Sequence, residues 1–364
     1  MEDPGMTDDG RADTAVQEER EQTRLALSAM LIPIFFVTLF ALCIIGTYHK
    51  PHPHGIEMAV VGPAAQTAPL RAGLAKAAGS AFDISQVTTV AQARRDVRDR
   101  DRRAAYIPTA RPKTQPATVI VAGAGGRIVA TAAERLARSA AVAQGAQLDV
   151  RDVRRLPPGD QIGIGVFLFV IVCTICGYLA VTLLFTVAPG LRPGRRYPMI
   201  VAVAVLVPTI AYLIGGLGFG TYTGSFGTIL AFIGIGALYV LVIGLITRLL
   251  QVLIGPPALF VSLAIFVFLN IPSLGATYTA DVLPGFWRFL NSFWIGAETT
   301  NAERSLLYFG GQDVGTDLLR LLAWTAVIVA LLALPVSRKL ERQRERPVVT
   351  RDLRPRTPRL AKQA

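Results

Sequence analysis

The stretch LPGFWRFLNSFWIGAETTNAERSLLYFGG, residues 283–311, is too polar to cross a bilayer unaided and too apolar to be a free loop. Phe286, Trp287, Phe289, Leu290, Phe293 and Trp294 cluster at helical spacing, and Trp287 and Trp294 suit a membrane interface. Pro284 and Gly296 bracket a first piece, and AERSLLYF forms a second that ends at Gly310 and Gly311. The pattern predicts two short helices dipping into the outer leaflet and buried against neighbouring spans. That is the only setting in which broken backbone is tolerated at membrane depth. Glu298, Glu303 and Arg304 are expected at the turn between the two pieces, near the outer water.

Spans for such a hairpin to lean on are present. The chain is 52% hydrophobic and only 17% charged, with a mean hydropathy of +0.46. Its apolar residues fall in runs of about 18 or more, the length that crosses a ~30 Å hydrocarbon core. Span one is expected at 25–47 and a soluble stretch at 48–160. Five more spans fill 161–337, at about 163–189, 198–217, 228–247, 253–271 and 318–337, with the 283–311 hairpin before the last. Pro208 is a candidate kink in span three, and Arg248 closes span four. Residues 1–24 are polar and expected to be disordered, and 338–364 form a basic tail. No secretory signal peptide is evident. The expected fold is an α-helical integral membrane protein with six transmembrane helices and an extracytoplasmic α/β domain between helices 1 and 2.

Orientation follows from the basic residues. The loop LRPGRRYP (191–198), the end of span four and the tail are all basic, which puts them and both termini in the cytoplasm of a multi-pass protein. The formal net charge of +12 is thereby explained by topology and by attraction to anionic membrane lipids, so no nucleic-acid partner is expected. Ionisable residues are nearly absent from the spans, where Arg248 and Arg320 lie close to the ends. That argues against a proton-coupled pump.

The 48–160 stretch alternates strand and helix. IEMAVVG, AFDISQV, RAAYIPT and PATVIVAG read as strands, and LDVRDVRRL as a closing strand or edge. TAPLRAGLAKAAG, TTVAQARRDVRDRD and RIVATAAERLARSAAVAQ read as helices, the second opened by a capping Thr. Together they predict one compact domain with a mixed sheet.

Other motifs read as structural. VAGAGG (121–126) lacks the third glycine of a dinucleotide loop, and a tight turn before a helix suits it better. RRDVRDRDRR (94–103) reads as a solvated, salt-bridged helix face. Gly216 and Gly220 have the spacing of close helix packing. Cys173 and Cys176 form a C-x-x-C inside a span, without the context of a redox or zinc motif. No P-loop, H-E-x-x-H or G-x-S-x-G motif occurs, so no catalytic residue, cofactor or metal site is assigned and the chain is not expected to be an enzyme. All three histidines lie in YHKPHPHG (48–55). Tyr48 is expected at headgroup level, and Pro51 and Pro53 stiffen the backbone. A stiff, pH-sensitive hinge fits better than a metal site, because an extended strut holds His52 and His54 about 6–7 Å apart.

The order of one span, a large outer domain, five more spans and re-entrant helices before the last resembles the membrane subunit of type-2 ABC transporters. It is most similar to the phage-infection-protein-like branch and its actinobacterial relatives. The resemblance is carried by Asn270, Pro272, Ser273, Gly275, Leu283, Pro284, Phe286, Trp287, Arg288, Gly296, Ala297, Arg304, Tyr308, Phe309 and Gly310, with VAGAGGRIV and DVRRLPPGD in the outer domain. It implies a homodimeric permease in the bacterial cell membrane, without its own ATPase, that exports a hydrophobic or envelope-related compound. Energy for active transport would come from a partner, such as a separate ATPase subunit, or from an ion gradient. The hairpin residues expected to carry transport are Pro284, Phe286, Trp287, Arg288, Trp294, Gly296, Glu298, Arg304, Tyr308, Phe309 and Gly310. LRPGRRYP is shorter than the coupling loop of ATPase-driven members. The alternative is a non-transporting envelope scaffold or receptor whose outer domain binds a protein, a wall polymer or a phage.

Overall fold

The first apolar run continues a helix that starts well before it. In the computed structural model, which describes residues 8–49, 53–188, 190–276 and 278–344, helix α1 spans Asp8–Tyr48. The acidic segment expected to be disordered is therefore helical from Asp8 onward. Its Glu, Gln and Arg residues are good helix formers and extend the apolar helix without a break. Lys50, Pro51 and His52 lie outside the described residues, as do residues 345–364 of the basic tail.

The sheet domain follows as β1 (Ile56–Val61), α2 (Ala64–Ala78), β2 (Phe82–Val87), α3 (Val90–Arg98), β3 (Ala104–Ile107), β4 (Ala117–Val121), α4 (Arg127–Ala143) and β5 (Leu148–Asp152). The strand order is β2-β1-β3-β4-β5. Strand β1 runs parallel to β2 and β3, while β4 is antiparallel to β3 and parallel to β5. The sheet is thus mixed, as the strand–helix alternation predicts. In β1 only Glu57 is exposed, the pattern of a central strand covered on both faces. The Thr89 hydroxyl caps α3 by accepting from the Gln92 amide at 3.2 Å. Helix α4 lays Ala130, Ala133, Ala137 and Ala141 on one face of the sheet, against Met58, Tyr106 and Val119. The other face is covered by Ala93 and Val97 of α3 and by Phe309, which arrives from the far end of the chain.

The helical bundle comprises α5 (Gly165–Val187), α6 (Pro193–Tyr212), α7 (Phe226–Ile254), α8 (Ala258–Leu263), α9 (Ile271–Ser273), α10 (Gly285–Asn291), α11 (Ile295–Tyr308), α12 (Val314–Ala333) and α13 (Pro335–Arg344). A π-helical turn, Leu213–Gly218, extends α6, and another, Ala264–Asn270, joins α8 to α9. Among the described residues, five helices are long and apolar enough to cross a membrane: Glu19–Tyr48, Gly165–Val187, Gly194–Gly218, Phe226–Ile254 and Val314–Ala333. The expected fifth span is instead a shorter apolar helix, Ala258–Ser273. At 1.5 Å per residue it reaches ~24 Å, short of a ~30 Å core. Gly255-Pro256-Pro257 delays its start, because Pro cannot extend the preceding helix.

Two further expectations change. Arg248 does not close a span, since α7 continues to Ile254. The Arg196 and Arg248 guanidiniums both lie on the Phe185 ring, 4.3 and 3.8 Å from its centroid. Gly216 and Gly220 do not form a helix-packing pair: a Cβ on Gly216 would meet the Tyr212 ring, and Gly220 faces open space. Close helix approach occurs elsewhere, where Gly236 on α7 has the Phe169 ring and Pro208 within 2.8 Å of a would-be Cβ.

Gly236→Leu is therefore expected to destabilise the bundle by about 1–3 kcal/mol through overpacking. Gly234→Leu, which meets nothing within 4 Å, should be neutral or slightly stabilising. Thermal unfolding of both variants in the same detergent checks the contrast.

Candidate functional site

Helix α11 carries ETTNAERS through its middle, yet almost every residue from Ile295 to Ser305 is buried. The chain turns between α10 and α11 at Ser292–Trp294, earlier than expected. Glu298, Glu303 and Arg304 are therefore not at a water-facing turn but inside α11, packed against α5, α7 and α12. The Glu298 and Glu303 side chains are 0% exposed and Arg304 is 5% exposed. Gly296 permits this closeness, because a Cβ there would collide with Asn270 and Leu274.

Each neighbour supplies one polar group. Thr174 of α5 and Tyr239 of α7 share a hydroxyl hydrogen bond of 2.7 Å. The Asn270 Nδ2 donates to the Tyr239 hydroxyl at 2.9 Å. The Asn291 amide donates to the Ser273 carbonyl at 2.8 Å, closing α10 against α9. In a water-free interior such donors and acceptors need one another, so this node fixes the register of four elements. The Asn270 Oδ1 is left without a donor among the described residues.

On the opposite side of α11, Arg320 of α12 donates to both Glu298 oxygens at 3.0 and 3.1 Å. Asp317, one turn earlier, hydrogen-bonds the same Glu298 carboxyl. A hydrogen bond between two carboxyl groups requires a proton on one of them. Arg304 turns back and donates to the Gly275 and Ala276 carbonyls.

The end of α11 enters the sheet domain. Phe309 fits between Arg100 and Arg154, whose guanidinium carbons lie 5.2 and 5.8 Å from its ring centroid. Arg100 also donates to the Ser305 hydroxyl. Burial, with Arg103 close by, holds the Arg100 guanidinium below its ordinary pKa. Arg103 pairs with Asp281 at 2.9 Å. The run RRDVRDRDRR is thus only partly a self-paired face: Arg102 pairs with Asp96, while Arg100 and Arg103 reach across to the hairpin. The glycine turn at 123–126 meets the same surface. A Cβ on Gly125 would touch the Phe309 ring at 3.5 Å, and one on Gly126, at φ 143°, would press on Thr279 at 2.8 Å. This turn is a docking contact, which agrees with its reading as structural.

The remaining predicted residues are dispersed. Pro284 opens α10 as its N-cap. Phe286 and Phe289 are exposed, as is Arg288, and Trp287 stacks edge-on against Phe286 at 4.9 Å. Trp294 packs on Trp324 at 6.0 Å. Gly310 lets the chain leave α11 at φ 69°. Tyr308 lies close to Asp160, whose carboxylate caps α5 by accepting from the amides of Gly163, Ile164 and Gly165. The Tyr48 ring sits 4.8 Å from that of Tyr278, and its hydroxyl donates to the Ile271 carbonyl. His49 bonds back to carbonyls of its own helix, and the His54 amide donates to the Asp281 carbonyl. Cys173 is buried and Cys176 exposed, and both are free.

Sequence reading missed Asp317 and Arg100 as partners of α11, and Thr174 and Tyr239 as partners of Asn270. The available signal was a lone polar residue inside an otherwise apolar run. No protein-family model matches the chain, and no curated protein or solved structure is significantly similar to it.

Two outcomes follow from this geometry. Phe309→Ala is expected to cost about 3–5 kcal/mol, because the ring belongs to the sheet-domain core. Hydrogen exchange at the 123–126 turn should then accelerate. Asn270→Ala should cost about 1–3 kcal/mol by removing the donor to the buried Tyr239 hydroxyl and leaving a cavity, read as a lower unfolding midpoint in denaturant.

Proposed function

We propose that this chain is a permease-like membrane subunit of the type-2 ABC kind that moves a hydrophobic or envelope-related compound outward. The observation that carries the reading is the α10–α11 hairpin, a polar, buried, interrupted segment locked to a soluble domain at one end of a bundle of apolar helices. Irregular polar backbone inside such a bundle marks the places where membrane proteins bind or pass a ligand. The exposed rings of Phe286 and Phe289 suit contact with lipid, and a lipid-like cargo needs no continuous polar channel.

In this reading the bundle end holding Arg196 and Arg248 faces the cytoplasm and the sheet domain is extracytoplasmic. The short helix 258–273 completes a sixth crossing, so both termini are cytoplasmic. The protein sits in the bacterial cell membrane as a homodimer, contacts membrane lipids, and draws energy from outside its own sequence, from an ATPase subunit or an ion gradient.

A second reading, an envelope scaffold or receptor, is favoured by one feature. Helix α5 ends at Val187 and α6 begins at Pro193, which leaves little for an ATPase to grip. Export assays on a deletion strain complemented with wild type or with Asn270→Ala separate the two. The permease reading expects export to be lost on deletion and reduced at least several-fold in the variant. Unchanged export in the deletion strain, with a partner retained by the full-length protein through its sheet domain, would establish the scaffold reading.

A further inference from the structure

Among the described polar side chains, Glu303 stands apart. It is 0% exposed, and neither carboxylate oxygen has a hydrogen-bond donor. Every other carboxylate buried with it in the bundle is engaged: Glu298 by Arg320, Asp317 by Glu298, and Asp160 by three amides. A bare charge in such a place costs several kcal/mol, so its retention there needs a reason.

The groups around Glu303 form a polar file. Toward the sheet domain lie Tyr222, whose hydroxyl donates to the Gly165 carbonyl at 2.9 Å, and beside it Tyr308 and Asp160. Toward the bundle centre lie Cys173 and then the Thr174–Tyr239–Asn270 node, whose Asn270 Oδ1 is also without a donor. Among the described residues, no cation faces Glu303 from any packed element. On α12, Arg320 and Asp317 are committed to Glu298. Arg304, its neighbour on α11, is turned to the Gly275 and Ala276 carbonyls. Cys173 of α5, Tyr222 ahead of α7 and Tyr239 within it are the titratable groups on the remaining sides.

We infer that Glu303 is a proton-binding site inside the bundle, loaded from the sheet-domain end through Tyr308, Tyr222 and Asp160. The occupant is the proton and not a metal ion. A cation would need several converging oxygens, and no group of three His, Cys, Asp or Glu among the described residues could hold one. The step is a simple transfer: a hydronium ion at the domain end gives up its proton, one O–H bond forms on a Glu303 oxygen, and water is released. Nothing is oxidised or reduced. The carboxyl becomes neutral and gains a donor, and Asn270 Oδ1 is the unfilled acceptor in the same file. The scarcity of ionisable residues in the spans does not bear on this carboxylate, which the hairpin delivers.

The inference deepens the permease reading by naming an energy source, but its test needs no transport. Infrared difference spectra of the full-length protein in lipid nanodiscs are recorded across a pH titration, at constant sodium and then with sodium added at constant pH. A protonated-carboxyl band is expected that shifts in deuterium oxide, moves with carbon-13 glutamate labelling, and is lost in Glu303→Gln. The Asp317→Asn variant should retain it. The isotope shift shows that the carboxyl is a glutamate, and retention of the band in Glu298→Gln separates it from the Glu298–Asp317 pair even where the Glu303 variant fails to fold. An identical band in wild type and a folded Glu303→Gln, or no glutamate-sensitive band at any pH, overturns the site. Loss of the band on adding sodium overturns the proton as occupant. An intact titration together with unaltered export in a deletion strain would remove the permease reading and leave the proton site standing.

Discussion

The constraint on which the rest of the structure depends is that a polar helix lies where water does not reach. Helix α11 brings two glutamates, three hydroxyl residues and an arginine between apolar helices. All of these groups but Glu303 find a partner from the protein, because unsatisfied polar atoms cost free energy comparable to a lost hydrogen bond or more. The partners come singly from several elements: Asn270 beside Gly296, Arg320 and Asp317 on Glu298, and the Gly275 and Ala276 carbonyls on Arg304. Positioning α11 therefore positions the helices that serve it, and a shift of one would strand atoms on the others.

The same helix ties the bundle to the sheet domain. Its C-terminal Phe309 serves as a core residue of that domain, held between Arg100 and Arg154 and seated against Gly125. The Arg103–Asp281 pair and the His54–Asp281 backbone bond reinforce the contact from the loop before α10. A rigid displacement of the sheet domain would pull directly on α11. A change in the polar groups along α11 would reach the domain through the same ring, so the hairpin couples the bundle to the sheet domain mechanically.

Much of this was legible in the sequence. Strands such as IEMAVV and ATVIV and the alanine face of α4 follow from period and composition, because one-dimensional spacing decides which face is buried. The hairpin at 283–311 was legible as an anomaly. Its interior was not: a run such as ETTNAER has the composition of a water-facing turn, and only its packing partners make it a buried helix. Those partners are Thr174, Tyr239 and Asn270, single polar residues far apart in the chain, whose convergence no local pattern reports. The start of the 258–273 helix was less legible for a related reason. Its apolar length was counted across Gly255-Pro256-Pro257, which the backbone cannot carry as one helix.

The central claim is the burial of α11 as a continuous helix. Amide hydrogen exchange of the full-length protein in lipid nanodiscs, resolved to peptides covering α10, α11 and α7, tests it most directly. The account predicts that residues 297–305 exchange as slowly as the middle of α7, and that the Ser292–Trp294 turn exchanges fast. Rapid exchange throughout 297–305, at the rate of the turn, would contradict it.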